Sequence, residues 1–185
     1  MPYPSQMNRE SIIETAREMI ELHGSNAVTV RLLAKAIGVK APSLYRHIKN
    51  KDELLIAVNE VTITELIAVM MEAVEGDAPL VDRLVHVALA YRQYAHDHPR
   101  CYGLAMGGDP ETMPDNDLRL QLVLPLQALF VQLTSEDDSL VALRSVFAFL
   151  HGWVSLEISQ QFQRGGDLDA HFEHGFRAFL DGWQR

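Results

Sequence analysis

Between Thr29 and Lys51 the chain gathers side chains suited to recognising a polyanion that has a readable edge. Lys40, Ser43, Tyr45, Arg46, His47 and Lys51 bring ammonium, hydroxyl, phenol, guanidinium and imidazole groups close together, with Thr29 and Arg31 just upstream. Lys, Tyr and Ser suit phosphate oxygens. The forked guanidinium of Arg46 suits O6 and N7 of guanine, and the His47 ring can donate to a base edge. Ala41 offers no side-chain acceptor for capping, which predicts free N–H groups at the start of its helix, open to a phosphate oxygen.

The whole-chain charge argues the other way, at −9, so its distribution decides the matter. Residues 1–51 hold eight Lys/Arg against four carboxylates, and the remainder holds eight against twenty-one. The pole is therefore +4 and the body −13. No carboxylate interrupts the run from Leu22 to Lys51. An acidic body repels a polyanion everywhere except at this pole, which orients the encounter as well as attracting it.

The elements that must position these groups are legible in local signals. A first helix, about Arg9 to His23, presents Ile12, Ala16, Met19, Ile20 and His23 on one face and stops at Gly24. Thr29 is placed as N-cap of Val30–Ile37, which ends at Gly38 after barely two turns. A second short helix opens with Pro42 in its first turn and runs through His47. Asn50 and Glu53 form an N-cap and N3 pair opening a long helix from 50 to about 75. Two short helices joined by three residues, with Gly at the turn, make a helix-turn-helix. Ala34 is small where the helices cross, Gly38 can take the left-handed backbone, and Leu33, Ile37, Val39, Leu44 and Ile48 supply the apolar contacts.

The run Thr29-Val30-Arg31, Leu33-Ala34, Gly38-Val39 and Leu44 through Leu55 resembles the DNA-binding domain of the TetR family over about residues 9–56. The resemblance implies that Tyr45, His47 and Lys51 contact phosphates, that Pro42 and Ser43 lie against DNA, and that positions 40, 41, 43 and 46 read bases. Ala41 stands where some members carry a polar base reader, which shifts the expected readout toward Arg46.

Beyond the DNA-binding element the pattern stays helical, with segments at about 80–97, 99–106, 118–133, 139–163 and 168–182 and a loop at 107–115. The expected fold is all-α: an N-terminal three-helix DNA-binding domain over 1–56 continuing into the linking helix, and a helical bundle over 77–185 for ligand binding and dimerisation. Gly76-Asp77-Ala78-Pro79 marks the boundary. The 139–163 segment carries one stripe of Leu143, Phe147, Leu150, Val154 and Ile158 and another of Ser145, Ala148, Gly152, Ser155 and Ser159. The last helix offers Leu168, Phe172, Phe176, Phe179, Leu180 and Trp183. Both helices are expected to pair with their counterparts in a homodimer. The segment Phe147–Glu157 resembles the WHG class of TetR C-terminal domains, with Phe147 in the Trp position and His151-Gly152 retained. That resemblance implies an effector pocket inside the bundle. Tyr91, Tyr94, Tyr102, Met106, Phe130, Phe147, His151 and Trp153 are its candidate lining, suited to a hydrophobic or aromatic effector.

Other classes find less support. The single Cys101 cannot form an internal disulfide, residues 1–6 lack the features of a leader peptide, and no uninterrupted apolar run reaches membrane length, which together place the chain in the cytoplasm. No cofactor fingerprint or catalytic motif is present. A metal site at His96, His98 and Cys101 fails on spacing, because i and i+2 diverge on a helix. A hydrolase would rest on Cys101 beside His98 alone. A DNA-binding protein without a small-molecule effector remains an open alternative.

Overall fold

The computed structural model describes residues 8–183 apart from Gly108. The reading of residues 1–6 as no leader thus lies outside the described residues, as does Gly108 of the 107–115 loop. Among the described residues the regular structure is helical: α1 (Arg9–His23), α2 (Val30–Ile37), α3 (Ala41–Leu44), α4 (Lys51–Ala73), α5 (Leu80–Asp97), α6 (Pro99–Met106), α7 (Asn116–Leu133), α8 (Glu136–Ile158) and α9 (Leu168–Asp181).

Contacts divide the chain into two compact units. One comprises the N-terminal part through Ile63 together with His98–Asp115. Asn8 and Ser11 open α1 with reciprocal hydrogen bonds: the Asn8 side chain accepts the Ser11 N–H at 2.8 Å, and the Ser11 hydroxyl accepts the Asn8 N–H at 3.2 Å. Ile12, Ile20, Leu33, Leu44, Ile48, Leu54 and Val58 are all buried in one cluster, which Cys101 of α6 completes. Short helices are marginal alone. Here α2 and α3 are held by this core.

The second unit comprises Thr64–Asp97 and the chain from Asn116 onward. The helices α7 and α8 pack most extensively on one another, and α5 packs on α7, α8 and α9. Tyr91, Leu84, Leu126, Leu150, Val154, Phe172, Phe176 and Leu180 form its interior. Phe149 meets Phe172, Phe176 and Phe179 with ring centroids 6.3, 5.5 and 5.2 Å away. The apolar stripe of α9 is therefore satisfied largely inside its own chain. The outward faces left over are different: Val141, Ala148 and Leu156 on α8, and His174 and Ala178 on α9, are exposed.

Both ends of α8 differ from the sequence reading. The first is the start of α8, at Glu136, because Ser135 caps it by accepting the Asp138 N–H at 3.1 Å. Its end falls at Ile158 rather than 163, because Gln160 takes the left-handed conformation at φ 56°. The Gln161 N–H then returns to the Leu156 carbonyl at 2.8 Å, closing the helix as glycine usually does. The helices α4 and α8 also have the length and composition to cross a bilayer, which the search for uninterrupted apolar runs missed because isolated polar residues such as Asn59 and Glu157 break each run. Half of that stretch of α4 and a third of that of α8 are buried inside the protein.

Candidate nucleic-acid interface

The start and end of α2 and the start of α4 are each fixed by a hydrogen bond of the expected type. Thr29 accepts the Leu32 N–H at 3.2 Å and starts α2. Gly38 sits at φ 80° and ψ 25°. With that residue left-handed, the Val39 N–H reaches the Ala34 carbonyl at 2.9 Å and the Gly38 N–H reaches that of Lys35 at 3.2 Å, so two orphan carbonyls are satisfied as the chain reverses. Ala34 is 3% exposed at the crossing, where a larger side chain would push α2 away from the cluster. Asn50 accepts the Glu53 N–H at 2.8 Å, and the Glu53 carboxylate accepts the Lys49 N–H at 2.7 Å, one residue earlier than in the reciprocal box.

The second helix departs from expectation in length. It is helical only over Ala41–Leu44, and Tyr45–His47 form a turn in which the N–H groups of His47 and Ile48 both reach the Leu44 carbonyl, at 2.8 and 2.9 Å. Its N-terminus is also a poorer phosphate site than Ala41 suggested. Pro42 has no N–H, and that of Ser43 is spent on the Lys40 carbonyl at 2.9 Å. Four residues make only a small dipole. Side chains, not the helix end, must carry the contacts.

Those side chains are available. Thr29, Arg31, Lys40, Pro42, Tyr45 and Arg46 are exposed, while Ala41, Ser43, His47 and Lys51 are half-buried. Leu44 and Ile48, one and five positions on from Ser43, are 1% exposed and anchor the segment from below. Among the described residues none of Arg31, Lys40, Arg46 and Lys51 is tied into an ion pair, so no intramolecular partner has to be displaced before they meet a phosphate. Lys35 and Lys49, exposed on the same stretch, add two cations that the sequence reading left out. The carboxylate-free run was the signal for both.

The candidate effector residues fall into two groups. Tyr102 is buried and Met106 half-buried, both on α6 in the first unit. The other six lie in the second. Tyr91 is fully buried with its ring 6.3 Å from Phe147, edge to face. Tyr94 donates to Glu65 at 2.9 Å, Phe130 is 3% exposed, and His151 lies 3.5 Å from the Ser155 hydroxyl. Trp153 is half-buried among Phe149, Phe162 and Phe172. The polar network of this unit escaped sequence reasoning: Arg92 donates to Glu157 at 2.8 Å and to Asp169 at 2.7 Å, and His96 lies 3.1 Å from Glu157. Arg92 holds the Glu157 carboxyl below the usual carboxylate range. Glu157, the one charge between Arg144 and Arg164, was the available clue.

Cys101 is 1% exposed, and burial pushes its thiol up to about 12, with Glu21 adding to the effect. A thiol so placed is a poor nucleophile at neutral pH. Among the described residues no three His, Cys, Asp or Glu side chains gather where an ion could sit.

Comparison with known proteins agrees with this geometry. The profile of "Bacterial regulatory proteins, tetR family" matches residues 12–58, and that of "Tetracyclin repressor-like, C-terminal domain" matches residues 84–179. The chain is 31% identical over 162 residues to the uncharacterised HTH-type transcriptional regulator Rv0681 of Mycobacterium tuberculosis, spanning 84% of this chain and 72% of the relative. It is 43% identical over 54 residues to the class D tetracycline repressor of Escherichia coli, which is 29% of this chain and 25% of the relative. A solved protein of unknown function from Rhodococcus sp. RHA1 shares the fold over 100% of both chains, with a TM-score of 0.81 at 21% identity. The chain therefore belongs to the TetR family of transcriptional regulators and carries that family's helix-turn-helix DNA-binding domain.

Proposed function

We propose that the protein is a repressor that binds a palindromic operator as a homodimer and is released by a hydrophobic small-molecule effector. The observation that carries the DNA-binding part is the carboxylate-free pole, where exposed Arg31, Lys40 and Arg46 and half-buried Lys51, none of them in an ion pair among the described residues, surround a turn fixed by Gly38. Arg46 reads guanine, supported by Lys40, Ser43 and His47. Thr29, Arg31, Tyr45 and Lys51 hold phosphates, and Ala41 and Pro42 pack against the groove.

Two such elements related by a twofold axis enter successive major grooves. The dimer forms through the outward faces of α8 and α9, where a Cβ added at Gly152 would meet nothing within 4 Å and a second helix can approach closely. Effector binding in the second unit changes the spacing of the two reading elements along α4, which begins in the first unit and continues into the second. As a DNA-binding regulator it works in the cytoplasm. The effector part is supported by the name of the tetracycline repressor relative.

Fluorescence anisotropy with duplex DNA at several salt concentrations tests the DNA reading: affinity should fall steeply with salt, with a slope reflecting the phosphates neutralised. A salt-independent or absent signal sinks it. A thermal-shift screen separates the effector reading from a DNA-binding protein without one, since a ligand of the native state alone must raise the midpoint.

A further inference from the structure

We propose that the turn between α8 and α9 is a binding site for a small molecule with a flat apolar body and one anionic group. The site shares Trp153 with the candidate effector lining but does not depend on the effector reading. A cavity of about 480 Å³ opens there, with Trp153, Phe162 and Leu168 as its apolar lining and Gln163, Arg164 and His171 among its polar lining. The Phe162 ring lies 5.0 Å from that of Trp153 at 51°, and Phe172 meets Trp153 edge-on at 5.6 Å. These rings present a firm wall to a planar ligand.

Trp153, Arg164 and His171 bring donors to this lining, while Gln161 and Gln163 spend amide N–H groups on the Ser159 and Gln160 carbonyls. The Trp153 Nε1–H is buried and meets no acceptor. Arg164 is exposed and has no ion-pair partner among the described residues. The two carboxylates of the turn are engaged elsewhere. Asp167 accepts the N–H groups of Asp169 and Ala170 at 3.1 Å each, and Asp169 pairs with Arg92 at 2.7 Å. An indole N–H, a guanidinium and an imidazole N–H around an apolar wall select an acceptor with negative charge, which a carboxylate supplies.

The backbone holds the turn in a shape few sequences adopt. Gln160 takes a left-handed conformation that is costly for a side-chain-bearing residue. Gly166 sits at φ 137°, and a Cβ there would lie 2.4 Å from His171 Cε1. His171 thus occupies space that only glycine leaves free.

The test is titration of ¹⁵N-labelled protein with 1-naphthoate and with neutral 1-naphthamide, following the two indole N–H resonances assigned through Trp183→Phe. Naphthoate should move the Trp153 resonance saturably, with the amide at least about tenfold weaker, since hydrogen bonds to charged groups exceed that margin. Arg164→Ala should weaken naphthoate about tenfold. Gly166→Ala, which displaces His171, should weaken it as well. A shift confined to Trp183, equal affinity for acid and amide, undiminished binding by Arg164→Ala, or no saturable shift would each overturn the proposal.

Discussion

The Glu21 carboxylate on α1 accepts the backbone N–H of Cys101 at 2.8 Å and that of Arg100 at 3.1 Å. Pro99 opens α6 and His98 gives it no side-chain cap, so a residue from the first helix supplies the cap that the local sequence lacks. Within the first unit, α1 and α6 are thereby joined through charge-assisted hydrogen bonds as well as through the apolar cluster.

Replacing Glu21 by Ala should cost about 1–2 kcal/mol, the range of a lost cap, and lower the thermal midpoint by about 2–4 °C per kcal/mol for a chain of this length. Glu21→Gln keeps an acceptor oxygen and should lose less. Circular dichroism melts check both; an Ala variant melting with the wild type would show that the α6 cap contributes nothing.

Cys101 should resist alkylation in the native protein at pH 8 and react readily once unfolded, because its thiol is pushed from 9.0 up to about 12. A raised folded value favours the protonated form in the native state. The stability it contributes is complete below pH 9 and is lost as pH rises toward 12. Cys101→Ala should flatten that alkaline decline in a pH series of denaturation midpoints. Rapid iodoacetamide labelling of the native protein would contradict the burial.

Arg46→Ala should weaken operator binding by about 1–3 kcal/mol and relax preference at one base pair. Lys51→Ala should weaken specific and random DNA alike and reduce the salt slope. Competition titrations separate the two, and equal losses on both DNAs for Arg46→Ala would remove its base-reading role.

At Gly38, φ is 80° and ψ 25°, and a Cβ would meet no neighbour within 4 Å. Gly38→Ala therefore carries a purely conformational cost of about 1–2 kcal/mol. DNA affinity should fall with it if the turn shifts to relieve the strain. Chemical denaturation measures the first effect and anisotropy the second; a variant as stable as the wild type would refute the left-handed turn.

Glu157→Gln should destabilise by about 2–4 kcal/mol, since it leaves the mostly buried Arg92 with half its partnership. Arg92 and His96 hold the Glu157 carboxyl below its ordinary value. The stability from this pair is present above the ordinary carboxylate pKa and is lost as pH falls through the depressed one. The variant should thus show a flatter acid limb, and parallel acid limbs for both proteins would count against the pairing.

How much of this was readable in the sequence depends on the range of the interactions. The caps at Thr29 and Asn50 and the stop at Gly38 are local chemistry, and the structure has them where the residue types predict. The end of α8 was hidden, because the left-handed residue is Gln160 instead of the Gly that announces such a stop. The short span of α3 was hidden too. Its polar face reads as one continuous helix, and only the doubled bond to the Leu44 carbonyl shows where it tightens. Pairings such as Glu21 with α6 and Arg92 with Glu157 join residues far apart in the chain, and no window of sequence contains both partners. The α9 stripe was visible, yet an apolar stripe does not say whether its own chain or a second copy covers it, and Phe149 decides that for Phe172 and Phe176.

Two carboxylate-free poles in a twofold arrangement should read a symmetric DNA sequence. Repeated selection of binding sites from a random duplex library by the full-length protein tests it most directly. An inverted repeat should be enriched, with half-sites separated by about one helical turn or a multiple of it, and its most informative base pair should be lost when Arg46→Ala is used instead. Failure to enrich any sequence, or enrichment of a single asymmetric site that Arg46→Ala selects equally well, would contradict it.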